Sequence, residues 1–138
     1  MGKKFWLSVV CMFVLSMLLD FAVHSVLLGP DYVRLPLLYR APQDAAGFMP
    51  VMLLAHLFIA VGLVWVYQRG VGSGAWLGQG LRFGSAMAVL IAVPGYLIYY
   101  AVQPLPADLV QKQIVFGVAQ MLLLGLALAW LQRKPDGT

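Results

Sequence analysis

Four long apolar stretches, separated by segments rich in glycine, proline and charged residues, occupy most of this 138-residue chain. They cover residues 5–28, 48–67, 81–102 and 109–131. An amphipathic helix of a soluble protein carries polar residues along one face, and these stretches do not. Because a helix of about 20 apolar residues crosses a hydrocarbon core about 30 Å thick, each stretch is long enough to span a bilayer. The pattern predicts an all-α fold, an integral membrane bundle of four transmembrane helices that forms one domain over residues 1–138.

Composition favours a membrane protein over a soluble one. Hydrophobic residues make up 62% of the chain and charged residues 10%, and glutamate is absent. An average soluble domain is about 45–50% apolar and about 25% charged. A soluble fold of this size would therefore lack the charged residues that a water-facing surface needs. The first stretch follows two lysines, as a secretion signal does, but it is too long and ends without a small-residue cleavage site, so we expect it to remain as a membrane helix.

The charged residues form two groups that predict the topology. Six basic residues flank one side of the apolar stretches: Lys3, Lys4, Arg69, Arg82, Arg133 and Lys134. The other side carries three basic residues offset by three acidic ones: Arg34, Arg40, Lys112, Asp31, Asp44 and Asp108. Because short basic loops stay in the cytoplasm, both termini and the loop 69–80 are predicted to be cytoplasmic. This topology accounts for the net charge of +4, and the predicted partner is the lipid bilayer, not nucleic acid.

The two longer connections differ in composition. Residues 29–47 contain three prolines and predict an outer loop without a long regular helix. Its tyrosines, Tyr32 and Tyr39, are expected to lie at the lipid headgroups and reach toward water, in a connector or in a lid over the bundle. The glycine-rich residues 69–80 predict a flexible inner turn, since they lack the Gly-Lys-Ser/Thr ending of a phosphate-binding loop.

The third and fourth stretches carry small residues at helical spacing. These are Gly84, Ala88 and Ala92 in the third stretch and Gly117, Gly125 and Ala129 in the fourth. Small residues let helix backbones approach closely in lipid, where burial alone does not drive association. The faces suit either packing within the bundle or formation of a homo-oligomer. Pro94 cannot donate a backbone hydrogen bond and predicts a kink in the third helix.

Three ionisable residues, Asp20, His24 and His56, lie inside the apolar stretches. At about 1.5 Å per residue, Asp20 and His56 are each about 12 Å below the outer surface, and His24 is about 6 Å below it. Asp20 and His24 are four residues apart and share a helix face. An unpaired carboxylate in hydrocarbon costs roughly 2.5–3.5 kcal/mol. We therefore expect Asp20 to face the bundle interior with His56 as its partner, if the first two helices are antiparallel neighbours.

Tyrosines and glutamines of the last two helices can complete a polar chamber open to the outside. The predicted ligand-binding residues are Asp20, His24, His56, Tyr96, Tyr99, Gln103 and Gln120. One interpretation is an Asp20–His56 hydrogen bond that only fixes helix packing. A second is a pocket for a small molecule or ion, with proton coupling through groups that can titrate near neutral pH. The other two are a metal site of Asp20, His24 and His56, and a haem held between the two histidines.

No arrangement of Ser, His and Asp supports nucleophilic catalysis, and Ser16 is expected to bond to a carbonyl of its own helix. No catalytic residue is assigned, the cofactor is unknown, and the chain is interpreted as non-enzymatic. The favoured function is binding of a small ligand or ion in the chamber, by a transporter or by a subunit of a larger membrane assembly. The alternative is a metal- or haem-dependent membrane enzyme or redox protein.

The position of Asp20 late in the first helix and the basic ending Gln132-Arg133-Lys134 resemble the small four-helix inner-membrane proteins of bacteria whose function is unknown. The resemblance implies the fold type and a multi-pass location in a bacterial inner membrane. It implies no activity and no site residues.

Overall fold

In a computed structural model, residues 2–133 form four long helices, and none of these residues lies in a β-strand. We number them helix 1, Lys3–Leu27; helix 2, Gln43–Gly70; helix 3, Trp76–Val102; and helix 4, Ala107–Gln132. Each is long and apolar enough to cross a membrane, which confirms the prediction of an all-α chain with four helices of spanning length. Lys134 of the predicted basic tail lies outside the described residues.

The two ends of the bundle are distinct. The Lys4 ammonium donates hydrogen bonds to the carbonyl oxygens of Gln132 and Arg133, at 3.1 Å each, so helix 1 begins where helix 4 ends. We call this end, which also holds the turn between helices 2 and 3, the terminus end. The opposite end, the loop end, holds residues 28–42 and the turn at residues 103–106. The described termini therefore lie at the same end of the bundle.

The apolar core lies in the half of the bundle near the terminus end. Its buried side chains come from all four helices and include Phe5, Val9, Met12, Leu63, Val64, Met87, Leu124 and Leu128. Helix 4 packs against helices 1 and 3, and helix 2 packs against helix 1. The outward faces stay apolar: Phe58 is 69% exposed and Val89 is 73% exposed. Such a surface suits contact with lipid better than contact with water.

Helices 3 and 4 touch backbone to backbone at three glycines of this half, Gly80, Gly84 and Gly125. A Cβ atom on Gly125 would lie 2.6 Å from the carbonyl oxygen of Gly80 and 2.8 Å from Cα of Gly84. A Cβ atom on Gly84 would lie 2.7 Å from the carbonyl oxygen of Met121. Any side chain larger than hydrogen would push the helices apart, so this surface is already occupied within one copy of the chain.

The inner turn is shorter than the predicted loop 69–80, because only residues 71–75 lie outside the helices. The side chain of Gln79 folds back over this turn. Its Oε1 accepts a hydrogen bond from the backbone N–H of Gly72 at 3.0 Å, and its Nε2 donates to the carbonyl oxygen of Gly74 at 2.9 Å. Gly80, which follows within helix 3, contacts helix 4, and the sequence alone could not distinguish it from a turn glycine.

The predicted outer loop 29–47 is also partly helical. A short helix, Gly29–Val33, follows helix 1, and helical structure resumes at Pro42–Ala45. Side chains of this segment join a small apolar cluster with the ends of helices 1 and 4. Nζ of Lys112 on helix 4 lies 2.9 Å from the Asp31 carboxylate. The segment is therefore folded over the loop end and tied to helix 4.

Two helices contain π-helical segments, Phe21–Leu27 in helix 1 and Ala88–Ala92 in helix 3. A π-helical turn accommodates an extra residue, so the side chains beyond it are rotated relative to those of a continuous α-helix. The second segment ends just before Pro94, whose missing N–H removes one helical hydrogen bond. The irregularity of helix 3 thus lies on the N-terminal side of the proline at which the sequence predicts a kink.

Candidate functional site

Helix 1 presents three polar side chains at four-residue spacing, Ser16, Asp20 and His24. Residues four apart lie on one helical face. Ser16 and Asp20 both approach His56 of helix 2, which is 5% exposed. The structure therefore brings together Asp20, His24 and His56, and it adds Ser16 to them.

The Asp20 carboxylate stands between the two imidazoles. Its Oδ1 lies 3.5 Å from His24 Nε2, and its Oδ2 lies 3.5 Å from His56 Nε2. Both distances are within the range of ion pairs but longer than ordinary N–H···O hydrogen bonds. The Asp20 side chain is 31% exposed, and that of His56 is 6% exposed. The carboxylate is therefore accessible, while one of its two histidine neighbours is buried.

His56 is contacted at both ring nitrogens. Nδ1 lies 2.9 Å from Ser16 Oγ, which itself lies 3.0 Å from the carbonyl oxygen of Phe13. One hydroxyl proton cannot serve both acceptors. When Ser16 donates to Phe13, as the sequence predicts, Nδ1 of His56 must be the donor toward Ser16. When Ser16 turns toward His56, Nδ1 accepts instead. The contact can therefore exist in two protonation arrangements with the heavy atoms in the same place.

His24 is held by two tyrosines. Its Nδ1 lies 2.6 Å from the Tyr32 hydroxyl, and its Nε2 lies 3.4 Å from the Tyr96 hydroxyl. The rings of His24 and Tyr32 are nearly parallel, at 13°, with centroids 5.9 Å apart. Tyr32 belongs to the segment that covers the loop end, and Tyr96 belongs to helix 3. The His24 imidazole thus links the segment that covers the loop end to helix 3.

Gln113 of helix 4 extends this network. Its Nε2 donates to the hydroxyls of Tyr32 and Tyr39, at 3.3 Å each, and the residue is 5% exposed. Its Oε1 is buried without a hydrogen-bond partner among residues 2–133. Burial raises the pKa of Tyr32, although the Gln113 hydrogen bond acts in the opposite direction. The Tyr32 phenol therefore stays protonated and can donate to His24.

Two adjacent cavities, of about 240 Å³ and about 390 Å³, adjoin these residues. We call the two together the chamber. Polar side chains lining the first are Ser16, Asp20, His56, Tyr96, Tyr99 and Gln120. Polar side chains lining the second are His24, Tyr32, Tyr39, Tyr96, Tyr99, Gln103 and Gln113. Because Tyr96 and Tyr99 line both, a ligand larger than one cavity could contact both.

All seven residues of the predicted set line the chamber. The chamber also contains four polar residues outside that set: Ser16, Tyr32, Tyr39 and Gln113. The sequence could have predicted two of these four. Ser16 is four residues before Asp20 and Gln113 is seven before Gln120, so each shares a helical face with a residue of the predicted set.

No spacing in the sequence relates the two tyrosines of the outer segment to the predicted set. Tyr32 and Tyr39 were expected to reach toward water, and that expectation is wrong. The hydrogen bonds to His24 and Gln113 turn both phenols into the chamber, and their rings lie 4.4 Å apart between centroids.

The same contacts bear on the metal and haem interpretations. The Nδ1 atoms of His24 and His56 have hydrogen-bond partners in Tyr32 and Ser16, while both Nε2 atoms face the Asp20 carboxylate at 3.5 Å. Among residues 2–133, no group of three His, Cys, Asp or Glu side chains is arranged to hold a metal ion. The geometry of the described residues therefore lends no support to a metal site at Asp20.

The fold and site define an all-helical chain with four helices of membrane-spanning length and a polar chamber between them. No protein-family model matches the sequence. No curated protein and no solved structure gives a significant match.

Proposed function

We propose that the protein spans a bacterial inner membrane and binds a small ligand or ion in its chamber, as the binding part of a transporter or as a subunit of a larger membrane assembly. The observation that carries this proposal is an accessible carboxylate, Asp20, beside a cavity of about 240 Å³ in a bundle whose outward faces are apolar. The large majority of buried polar side chains, including those that serve packing alone, have a hydrogen-bond partner. Asp20 is 31% exposed and makes contacts longer than hydrogen bonds.

The charge distribution supports an orientation with both termini in the cytoplasm. The terminus end carries the basic residues Lys3, Lys4, Arg69 and Arg133, with Arg82 in the second turn of helix 3. The loop end carries as many acidic as basic residues within positions 29–47 and 103–112. Under the positive-inside rule the terminus end is cytoplasmic, and the chamber, which lies toward the loop end, is reached from outside.

Thiol accessibility tests the location, the orientation and the chamber together. In a Cys11→Ala background, which removes the single native cysteine, Gln120→Cys places a thiol in the first cavity. Val115→Cys, on the same helix but 64% exposed on the apolar surface, is the matched control. Intact cells are treated with a charged, membrane-impermeant methanethiosulfonate reagent, and modification is followed by mass spectrometry.

We expect the cysteine at position 120 to react and the cysteine at position 115 not to react, because a thiolate forms readily only in contact with water. Soluble small molecules are then screened for protection of the cysteine at position 120. A compound that protects it, and fails to do so after Asp20→Asn, supports ligand binding. If position 120 is unreactive, or if no compound protects it, the polar residues serve packing only and the proposal is wrong.

A further inference from the structure

The acidic and basic residues that line the chamber bear on the kind of ligand it suits. Among the described residues that line the two cavities, Asp20 is the one carboxylate, and none is lysine or arginine. Lys112, the basic residue on the adjoining part of helix 4, is paired with Asp31 and does not line either cavity. In a site of low dielectric constant, an anion beside Asp20 would be repelled strongly and a cation attracted.

Asp20 also keeps capacity to accept hydrogen bonds. Its two imidazole neighbours are 3.5 Å away, beyond the usual hydrogen-bond distance, and its side chain is 31% exposed. A neutral imidazole that donates an N–H toward the carboxylate does not cancel its charge. A cationic donor in the first cavity would therefore make shorter, charge-assisted bonds than those already present.

Aromatic rings dominate the polar lining of the second cavity. Tyr32, Tyr39, Tyr96 and Tyr99 all line it, and the last two also line the cavity that contains Asp20. The face of a phenol ring attracts an organic cation within about 6 Å of its centre. Several rings beside one carboxylate form a lining that suits a cation with an apolar body.

Gln113 fixes the position of two of the tyrosines that line the second cavity. The residue is 5% exposed and lines this cavity, and its amide nitrogen is already engaged with two phenols. Its Oε1 has no partner among residues 2–133, although a buried carbonyl oxygen without one is unfavourable. This oxygen has almost no accessible surface, so Gln113 holds the two phenols in place and is not assigned a contact with a ligand.

From these observations we infer that the ligand is a small organic ammonium ion, bound between Asp20 and the tyrosines, with its N–H groups donating to the Asp20 carboxylate. The inference rests on the proposed function and narrows it to one class of ligand. It favours a primary or secondary amine over a quaternary one, because only the former has N–H groups that can donate charge-assisted hydrogen bonds to the Asp20 carboxylate.

A series of three probes of similar size tests the inference: benzylammonium, benzyl alcohol and benzoate. The measurement is isothermal titration calorimetry on the full chain in a neutral detergent at about pH 8, where an alkylammonium group of ordinary pKa is protonated. We expect benzylammonium to bind at least about tenfold more tightly than either analogue, since a hydrogen bond to a charged group is stronger than a neutral one. Asp20→Asn should abolish this preference. Asp108→Asn, an exposed carboxylate at the same end, should retain it.

Gln120→Lys provides a second variant in case Asp20→Asn does not fold. It places a tethered ammonium in the first cavity, where it should occupy Asp20 and block benzylammonium binding in a protein that elutes as a single species on gel filtration. Tighter binding of benzyl alcohol or benzoate, no binding of any probe, or unchanged binding by the Lys variant would each overturn the inference. The proposed function is judged separately by protection of the cysteine at position 120, so a failure of the inference can be distinguished from a failure of the proposed function.

Discussion

The two halves of the bundle use the same four helices and pack them in opposite ways. In the half near the terminus end, helices 3 and 4 are so close that Gly125 has no room for a Cβ atom, and Met12 and Leu128 are fully buried. In the half near the loop end, the helices enclose cavities of about 240 and 390 Å³. The same kind of residue has different partners in the two halves: Gly125 faces backbone, while Gly117 faces the ring of Tyr96.

The change from one packing to the other coincides with the π-helical segment Ala88–Ala92 of helix 3. Before it, helix 3 offers Gly84 to the backbone of helix 4; after it, the helix offers the tyrosines that line the chamber. The close-packed half can therefore hold the helices together, while the other half carries polar groups that contribute little to helix packing. Substitutions in the two halves should therefore have different consequences.

The largest effect is expected at the glycine contact. Gly125→Ala would place a methyl group 2.6–2.8 Å from backbone atoms of Gly80 and Gly84, which cannot rotate away. Overpacking of this kind costs about 1–3 kcal/mol, and we expect the upper part of that range. The measurement is the free energy of unfolding in mixed detergent micelles.

Gly62→Ala on helix 2 is the matched control, since a Cβ atom there has no neighbour within 4 Å. It should leave the free energy of unfolding unchanged or raise it by roughly 0.5–1 kcal/mol, because alanine favours the helix. Equal losses of unfolding free energy in the two variants would mean that the contact between helices 3 and 4 does not stabilise that half in particular.

A smaller effect is expected at the inner end of the chamber. Ser16→Ala removes the partner of His56 Nδ1 and should lower the free energy of unfolding by about 1 kcal/mol. Ser25→Ala, at an exposed position of the same helix, should change it by less than about 0.5 kcal/mol. If Ser16→Ala lowered the free energy of unfolding as much as Gly125→Ala does, the half near the loop end would contribute as much to stability as the close-packed half, contrary to our proposal.

At the mouth of the chamber, Tyr32→Phe should lower stability by roughly 0.5–1 kcal/mol, through loss of the hydroxyl that contacts His24. It should also change the pH dependence. Burial raises the pKa of Tyr32 above its ordinary value of 10.0, so the folded protein holds this proton more tightly than the unfolded chain. This contribution is complete below about pH 10 and is lost as the pH rises toward the folded-state pKa.

Thermal unfolding from pH 8 to pH 11 checks this prediction. The wild type should lose stability above about pH 10 more steeply than the Phe variant. Parallel curves for the two proteins would show that Tyr32 is not buried as described.

The smallest effect is expected at the surface of the loop end. Lys112→Gln breaks the contact with Asp31, which is exposed on the lysine side, and should cost about 0.2–1 kcal/mol. The difference from the wild type should shrink at high salt, because exposed ion pairs are screened. A difference that does not depend on salt would indicate that the pair acts by packing and not by charge.

The sequence predicted those features that depend on local quantities. The length of the apolar stretches identified the four helices, and the rise per residue placed Asp20 and His56 at one depth, where the structure brings them into contact. Features that depend on chain folding could not be predicted in this way. Tyr32 enters the chamber only because the outer segment folds back, and Gly80 could not be assigned to a helix contact before its neighbour on helix 4 was known.

The contact of Lys4 with the last carbonyl groups of helix 4 has a consequence for biosynthesis. Helix 1 leaves the ribosome first, and its partner at this contact is the last of the four helices to be made. The contact at the terminus end therefore cannot form until helix 4 has been made. During that interval the face of helix 1 that will meet helix 4 lacks this partner.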